Sequence, residues 1–308
     1  MSWSPGSLPD QAGRTFVVTG GNSGLGYFAA EQLASAGAHV VLAARSAERA
    51  DAAIRSIRGV VPGASVDTIP LDLSSLDSVR AAGAALAQYP RLDGLVLNAG
   101  ITSGPSRREL SGDGHELTFQ TNYLGHFALT ALAWPALART AGSRVVALGS
   151  ISTTLVRLAP DDLQTAGRHT FFRAYGLSKH AAAGFVLELD RRARLAGADV
   201  SAVLAHPGFA IDGLTKFRPG IMEPTAGEKL RDLALAVAPG AQGKNRGAAS
   251  IVRALLDPEV VGGEYVGPEF WTRGRPRLQQ PTVSSAAPEF GGKLWAMSEN
   301  WSGVQFRL

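Results

Sequence analysis

Cysteine is absent from the 308 residues. That one absence removes disulfides, thiolate metal sites and cysteine nucleophiles together, and it points to a cytoplasmic protein. No run of eighteen apolar residues occurs, so no segment reads as a membrane-spanning helix. The N-terminus, "MSWSPGSLPDQAG", lacks a basic start followed by an apolar core and reads as a short arm over 1–13, not as a secretory signal. Excess charge is scarce as well: 30 basic residues face 26 acidic ones, a net +4. The basic residues are scattered except for "RGRPR" at 273–277, whereas a nucleic-acid binder gathers them on one face. No nucleic-acid partner is expected, and the charge reads as a solvated surface plus a few arginines that meet an anionic cofactor. None of the six histidines pairs at ligand spacing, so no metal site is expected. None lies in a nucleophile-elbow context either, which leaves a hydrolase built on Ser150 without its base.

With 45% apolar residues the chain can bury a sizeable core. Short apolar runs recur, each followed by a longer helical pattern: "TFVVTG", "HVVLAAR", "SVDTIPLDL", "LDGLVLNAG", "SRVVALGS", "DVSAVLAHPG" and "GEYVG". Runs of this kind are strands buried on both faces, and their alternation with helices predicts an α/β fold with a parallel sheet. Helices are expected at 25–36, 47–58 and 75–88, with longer ones near 113–139 and 175–196. The alternation never resets, so 1–308 reads as one domain. Two segments break the rhythm, 151–174 and 209–244, and both leave the carboxyl ends of strands, where open α/β sheets bind ligands. The segment 268–308 is expected to form a C-terminal extension. Its "RGRPR" and the Pro- and Ser-rich stretch to 288 read as surface, and a helix with Leu294, Trp295 and Met297 docks on the body.

In "TGGNSGLG", Gly20, Gly24 and Gly26 fall at a strand-to-helix junction. Glycines there let the backbone turn tightly and let a diphosphate approach the free N–H groups of the helix N-terminus. Alone, the pattern also fits an ordinary strand-to-helix turn. The end of the second strand discriminates between dinucleotides, because a free ribose hydroxyl usually meets a carboxylate there and a 2′-phosphate meets an arginine. Here Ala44 stands in the acidic position and Arg45 follows, which favours NADP over NAD; the alternative is an exposed loop arginine.

"AYGLSKH" places Tyr175 and Lys179 four residues apart on one helix face. A free phenol titrates near 10, and an adjacent ammonium favours its ionised form, bringing it toward working range. The fifth strand ends in "RVVALGSIS", delivering Ser150 and Ser152 to the carboxyl edge; Ser152 reads as a loop cap. Asn122 lies inside a long helix among apolar and aromatic neighbours, which implies burial with a specific partner.

These residues resemble the short-chain dehydrogenase/reductase family over nearly the whole chain: "TGGNSGLG", "LDL" at 71–73, "NAG" at 98–100, Asn122, Ser150, "YGLSK" at 175–179 and "HPG" at 206–208. The resemblance implies a Rossmann fold with a doubly wound, seven-stranded parallel sheet that binds a nicotinamide cofactor. It implies Asn122, Ser150, Tyr175 and Lys179 as a catalytic tetrad. Cofactor contacts would fall on Gly20, Asn22, Ser23, Gly24, Leu25 and Gly26, on Arg45, on Asp72 and Leu73 near the adenine, on Asn98, Ala99 and Gly100, on Tyr175 and Lys179, and on Pro207 and Gly208. The activity implied is NADP(H)-dependent transfer between the nicotinamide and a carbonyl or alcohol, with NADPH preferred over NADH and Tyr175 as general acid/base. "QTNYLGHFALT", "KLWAMSENWSGVQF" and the 25-residue separation of Ser150 from Tyr175 are similar to the retinol-dehydrogenase-like and protochlorophyllide-reductase-like branch. No membrane anchor is expected, and the chain has none of the pigment-site cysteines of the latter.

One departure stands out. The family places a threonine near position 212, and this chain has Asp212, with Thr215 three residues on. Either Thr215 serves in a re-registered loop, or Asp212 accepts from the carboxamide amine, or the nicotinamide site is weakened. The substrate is expected to be apolar, from Phe209, Ile211, Leu214, Phe217, Ile221 and Met222, although these also fit simple core packing. A catalytically silent NADP-binding sensor on the same fold is the rival reading. Pairing of copies through the "YGLSK" helix and coverage of that face by the C-terminal extension both stay open.

Overall fold

The computed structural model describes residues 3–221, 223, 225, 227, 230 and 240–308. Eight strands form one sheet in the order β10-β9-β6-β5-β4-β1-β2-β3. They are β1 (Thr15–Thr19), β2 (His39–Ala44), β3 (Val66–Pro70), β4 (Gly94–Leu97), β5 (Ser143–Leu148), β6 (Val200–Ala205), β9 (Tyr265–Pro268) and β10 (Pro276–Gln279). Seven run parallel, and β10 pairs antiparallel to β9 with Pro276 opposite Pro268. The expected count of seven strands is therefore corrected to eight. The added strand comes from the "RGRPR" segment, which joins the sheet edge instead of lying loose on the surface.

The helices α1 (Gly24–Ser35), α2 (Ala47–Val60) and α3 (Leu76–Ala87) follow the first three strands. Two apolar cores result, one on each face of the sheet: Phe28, Leu33 and Ile251 belong to one, Phe127, Phe185 and Trp295 to the other. The long helix expected from 113 begins at Leu117. A turn of α-helix, α4 (Leu117–Phe119), passes through a five-residue π-helical stretch, Gln120–Leu124, into α5 (Gly125–Ala138). Such π stretches tend to mark functional positions, and this one carries Asn122. After β5 comes a single turn, α6 (Ser152–Leu155), and later the long α7 (Phe171–Leu195). Two short strands, β7 (Phe209–Ile211) and β8 (Ala241–Gly243), pair parallel beside the sheet and lead into the helix Lys244–Leu256.

The arm at the N-terminus is not free, because Trp3 and Leu8 pack against the core that contains Phe28. At the other end the helix Pro288–Ser302 lies over α5 and α7. Trp295 stacks on Phe306 at 4.7 Å between centroids and meets Phe127 and Phe185 at 5.4 and 5.9 Å. No helix among the described residues is long and apolar enough to cross a membrane.

Candidate active site

The sheet's carboxyl edge opens into a cleft of about 1130 Å³. Its walls are the ends of β1, β2, β4 and β5, the start of α7 and the segment after β6. Of the sequence-predicted residues, Gly20, Asn22, Ser23, Gly24, Leu25, Arg45, Asp72, Leu73, Asn98, Ala99, Gly100, Ser150, Tyr175, Pro207 and Gly208 line it. Gly26, Asn122 and Lys179 lie behind its wall.

Gly20 shows why the turn needs glycine. Its φ is +64°, a region that side chains disfavour, and a Cβ there would meet the Cα of Ala99 at 3.0 Å. A Cβ on Gly26 would sit 2.5 Å from the Gly20 carbonyl oxygen. The turn is thus pressed against the loop after β4, and Thr19 fastens the two. Its hydroxyl accepts from the backbone N–H groups of Asn98 and Ala99, at 2.9 and 3.0 Å. Asn98 returns a bond from Nδ2 to the Thr19 carbonyl at 2.8 Å.

Behind Thr19 stands His126, which sequence reasoning missed. Its Nε2 lies 2.9 Å from the Thr19 hydroxyl and its Nδ1 3.1 Å from the Asn122 carbonyl oxygen. Burial drives this imidazole down to about 4, so it is neutral. A carbonyl oxygen faces Nδ1, so the single ring proton belongs on Nδ1, and the bare Nε2 faces the Thr19 hydroxyl, which also donates to the Val96 carbonyl at 3.1 Å. The Asn122 side chain is fully used. Oδ1 accepts from the Ile101 N–H at 2.7 Å, while Nδ2 donates to the Ile101 carbonyl and to the Ser178 hydroxyl, both at 3.1 Å. Asn122 therefore ties the loop after β4 to α7, one residue from Lys179.

Ser150 and Tyr175 meet at the cleft wall. The Ser152 N–H donates to Ser150 Oγ at 3.1 Å, and the Ser150 hydroxyl lies beside the Tyr175 phenol. Burial raises the phenol above its ordinary value and the Ser150 hydroxyl pulls it back only in part. Lys179 Nζ sits 5.7 Å from the Tyr175 ring centroid and donates to the Leu148 carbonyl at 2.9 Å. The expectation that the ammonium draws the phenol down is thus corrected: burial leads and the Ser150 hydroxyl opposes it, while Lys179 is itself pushed down to about 8 by burial.

Lys179 carries a stability consequence. Its folded value lies below the ordinary one, so between about pH 8 and 10.5 the unfolded chain binds more protons and stability rises with pH. Below pH 8 the cost of burying the ammonium is fully present. Lys179→Met is expected to be more stable than the parent at neutral pH, with the advantage shrinking as pH climbs through that window. Denaturant midpoints of both proteins at several pH values check this; a difference independent of pH contradicts it.

At the far end of the cleft Arg45 is exposed at the tip of β2, with Arg49 one helical turn on and lining the same wall. Asp72 is held by Ser74, whose N–H and hydroxyl reach its Oδ1 at 2.9 and 2.6 Å. After β6, Thr215 does not line the cleft. Its hydroxyl donates to the Ile211 carbonyl and accepts from the Lys244 N–H, at 2.7 and 2.8 Å. Asp212 does line it and pairs with Lys244 at 2.5 Å.

The apolar wall lies elsewhere than expected. Phe209 and Ile211 face the cleft, whereas Leu214 and Phe217 are exposed away from its lining and Ile221 packs on the core; Met222 lies outside the described residues. A second cavity of about 790 Å³ adjoins the first through Ser150 and Ile151. Leu155, Val156, Leu158, Trp271 and Val283 line it, drawn from the segment after β5 and from the C-terminal region.

The fold and this cleft define a nicotinamide-dinucleotide-dependent oxidoreductase acting on an alcohol or carbonyl. A family model for short chain dehydrogenase matches residues 14–216. The chain belongs to the short-chain dehydrogenase/reductase family, in its retinol-dehydrogenase-like branch. It is 38% identical over 210 residues to human retinol dehydrogenase 13, covering 67% of this chain and 62% of that protein. It is 35% identical over 309 residues to mouse polyprenol dehydrogenase, covering 97% and 87%. A crystal structure of a Mycobacterium paratuberculosis protein matches the whole of both chains at 32% identity and a TM-score of 0.80. The Pseudomonas aeruginosa RhlG/NADP complex matches 84% of this chain and 95% of its own at 25% identity and a TM-score of 0.61.

Proposed function

We propose that the protein is an NADP(H)-dependent reductase of apolar ketones or aldehydes, working in reverse on the corresponding alcohols. The observation that carries this reading is the placement of the Ser150 and Tyr175 hydroxyls in the same cleft wall as the glycine turn and Arg45. The residues present suit the cofactor: Gly20 and Gly26 let the turn press tightly onto the loop after β4, and α1 opens onto the cleft with free N–H groups and no side-chain cap. When bound, NADPH supplies the hydride. The Ser150 hydroxyl holds the substrate oxygen and Tyr175 gives it a proton. Because burial keeps the phenol protonated at neutral pH, Tyr175 stands ready as a donor, the form that reduction requires. Lys179 would hold the nicotinamide ribose, and Asn122 fixes the loop that frames the cofactor.

Support for an apolar substrate comes from the adjoining cavity with Leu155, Val156, Leu158, Trp271 and Val283, and from relatives named for retinol and polyprenol. The preference for NADPH rests on Arg45, with Arg49 beside it. Arg45→Ala is expected to weaken NADPH binding by roughly tenfold, the scale of one lost charge-assisted contact, and to leave NADH binding unchanged. Titration of the nicotinamide fluorescence with each dinucleotide reads this out. Equal losses for both would remove Arg45 from the 2′-phosphate.

A further inference from the structure

Lys244 has no place in the motifs, yet it reaches the glycine turn at the N-terminus of α1. Its Nζ lies 3.7 Å from where a Cβ would stand on Gly24, the first residue of α1. Arg45, Arg49 and Lys244 are the cleft-lining lysines and arginines among the described residues. Arg45 follows β2 and Arg49 stands in the first turn of α2, while Lys244 is beside the glycine turn. Its backbone is fixed there. Ile211 pairs with Gly243 across the β7–β8 ladder, and Thr215 accepts the Lys244 N–H.

The ammonium meets Asp212 Oδ1 at 2.5 Å, but that oxygen has no donor in hydrogen-bond geometry, so the pair is an ion contact without an aligned bond. The two side chains are 25% and 45% exposed, although the contacting Asp212 oxygen is covered. A partly exposed ion pair without an aligned bond adds little to folding. A diphosphate, with more charge and more acceptor oxygens, outcompetes a single carboxylate for such a cation.

We infer that Lys244 is a second hold on the dinucleotide's diphosphate, and that Asp212 is its placeholder, occupying the ammonium until the cofactor arrives. This rests on the nicotinamide-cofactor reading above. It assigns position 212 a role different from the threonine it replaces: Asp212 competes with the cofactor for Lys244 instead of contacting the carboxamide. The diphosphate is common to both dinucleotides, so Lys244 acts on both alike, unlike Arg45.

The test is the dissociation constant of NADPH and of NADH, by fluorescence titration, for the parent and for K244Q, K244R, D212N and the double variant D212N/K244Q. Thermal melts confirm that each variant is folded. K244Q is expected to weaken both dinucleotides by about tenfold, and K244R to stay close to the parent. D212N is expected to tighten both by several-fold, and the double variant to match K244Q, because the carboxylate has no effect once its cation is gone. Parent-like binding by K244Q overturns the inference and leaves the cofactor reading intact. Weaker binding by D212N also overturns it and returns Asp212 to the carboxamide. A parent protein that binds neither dinucleotide fells the cofactor reading itself.

Discussion

Tyr175→Phe is expected to lose about a thousandfold in turnover with an apolar carbonyl substrate while binding NADPH as the parent does. The magnitude is that of a removed general acid. Among the described residues Tyr175 supplies the phenol at the cleft wall, beside the Ser150 hydroxyl and near a buried ammonium, with Nζ 5.7 Å from its ring. Its ring also stacks on Phe171 at 6.2 Å, a contact that phenylalanine keeps. The substitution therefore deletes the proton and little else. Steady-state turnover and NADPH titration on the same preparation separate the two effects. Retained turnover would take the proton donor away from Tyr175, and lost NADPH binding would show that the hydroxyl holds the cofactor.

Trp295→Ala is expected to cost about 3–5 kcal/mol of stability, as for other large-to-small changes of a buried aromatic. Trp295 is 2% exposed, packed on Phe127, Phe185 and Phe306, with the Arg192 guanidinium 4.4 Å over its ring. Its helix seals the faces of α5 and α7, and two copies pairing through α7 would first have to displace it. The variant is thus expected both to melt earlier and to expose an apolar face that self-associates. Denaturant unfolding together with light scattering measures both. An unchanged midpoint would mean that the C-terminal helix contributes little to the body.

The central parallel strands were legible because they are buried on both faces and so read as apolar runs: "FVV", "VVLAA" and "RVVAL" need no partner pattern to be seen. β10 was not, because "PRLQ" is an edge strand that starts with proline and keeps Arg277 in solvent. Residues next to glycine or strand-end signals, such as Asn22, Arg45 and Ser150, came forward with their motifs. Thr19 stood in the opening motif and His126 four residues after Asn122, but only the fold brings His126 onto Thr19. Lys244 gives no local signal at all, since its neighbours Gly24 and Asp212 are remote in sequence. The apolar cavity likewise joins the segment after β5 to residues near 280, a juxtaposition that no periodicity encodes. The direction of the Tyr175 shift also needed the structure, because sequence shows the neighbouring cation but not how deeply both groups are buried.

Hydride transfer from NADPH to an apolar carbonyl is measured most directly by following label from deuterated NADPH into a panel of hydrophobic ketones and aldehydes, read by mass spectrometry of the alcohol. Label in the alcohol, formed by the parent and not by Tyr175→Phe, is the predicted result. NADPH bound tightly with no label delivered to any member of the panel would contradict it and give the cleft to a protein that senses the dinucleotide without turning it over.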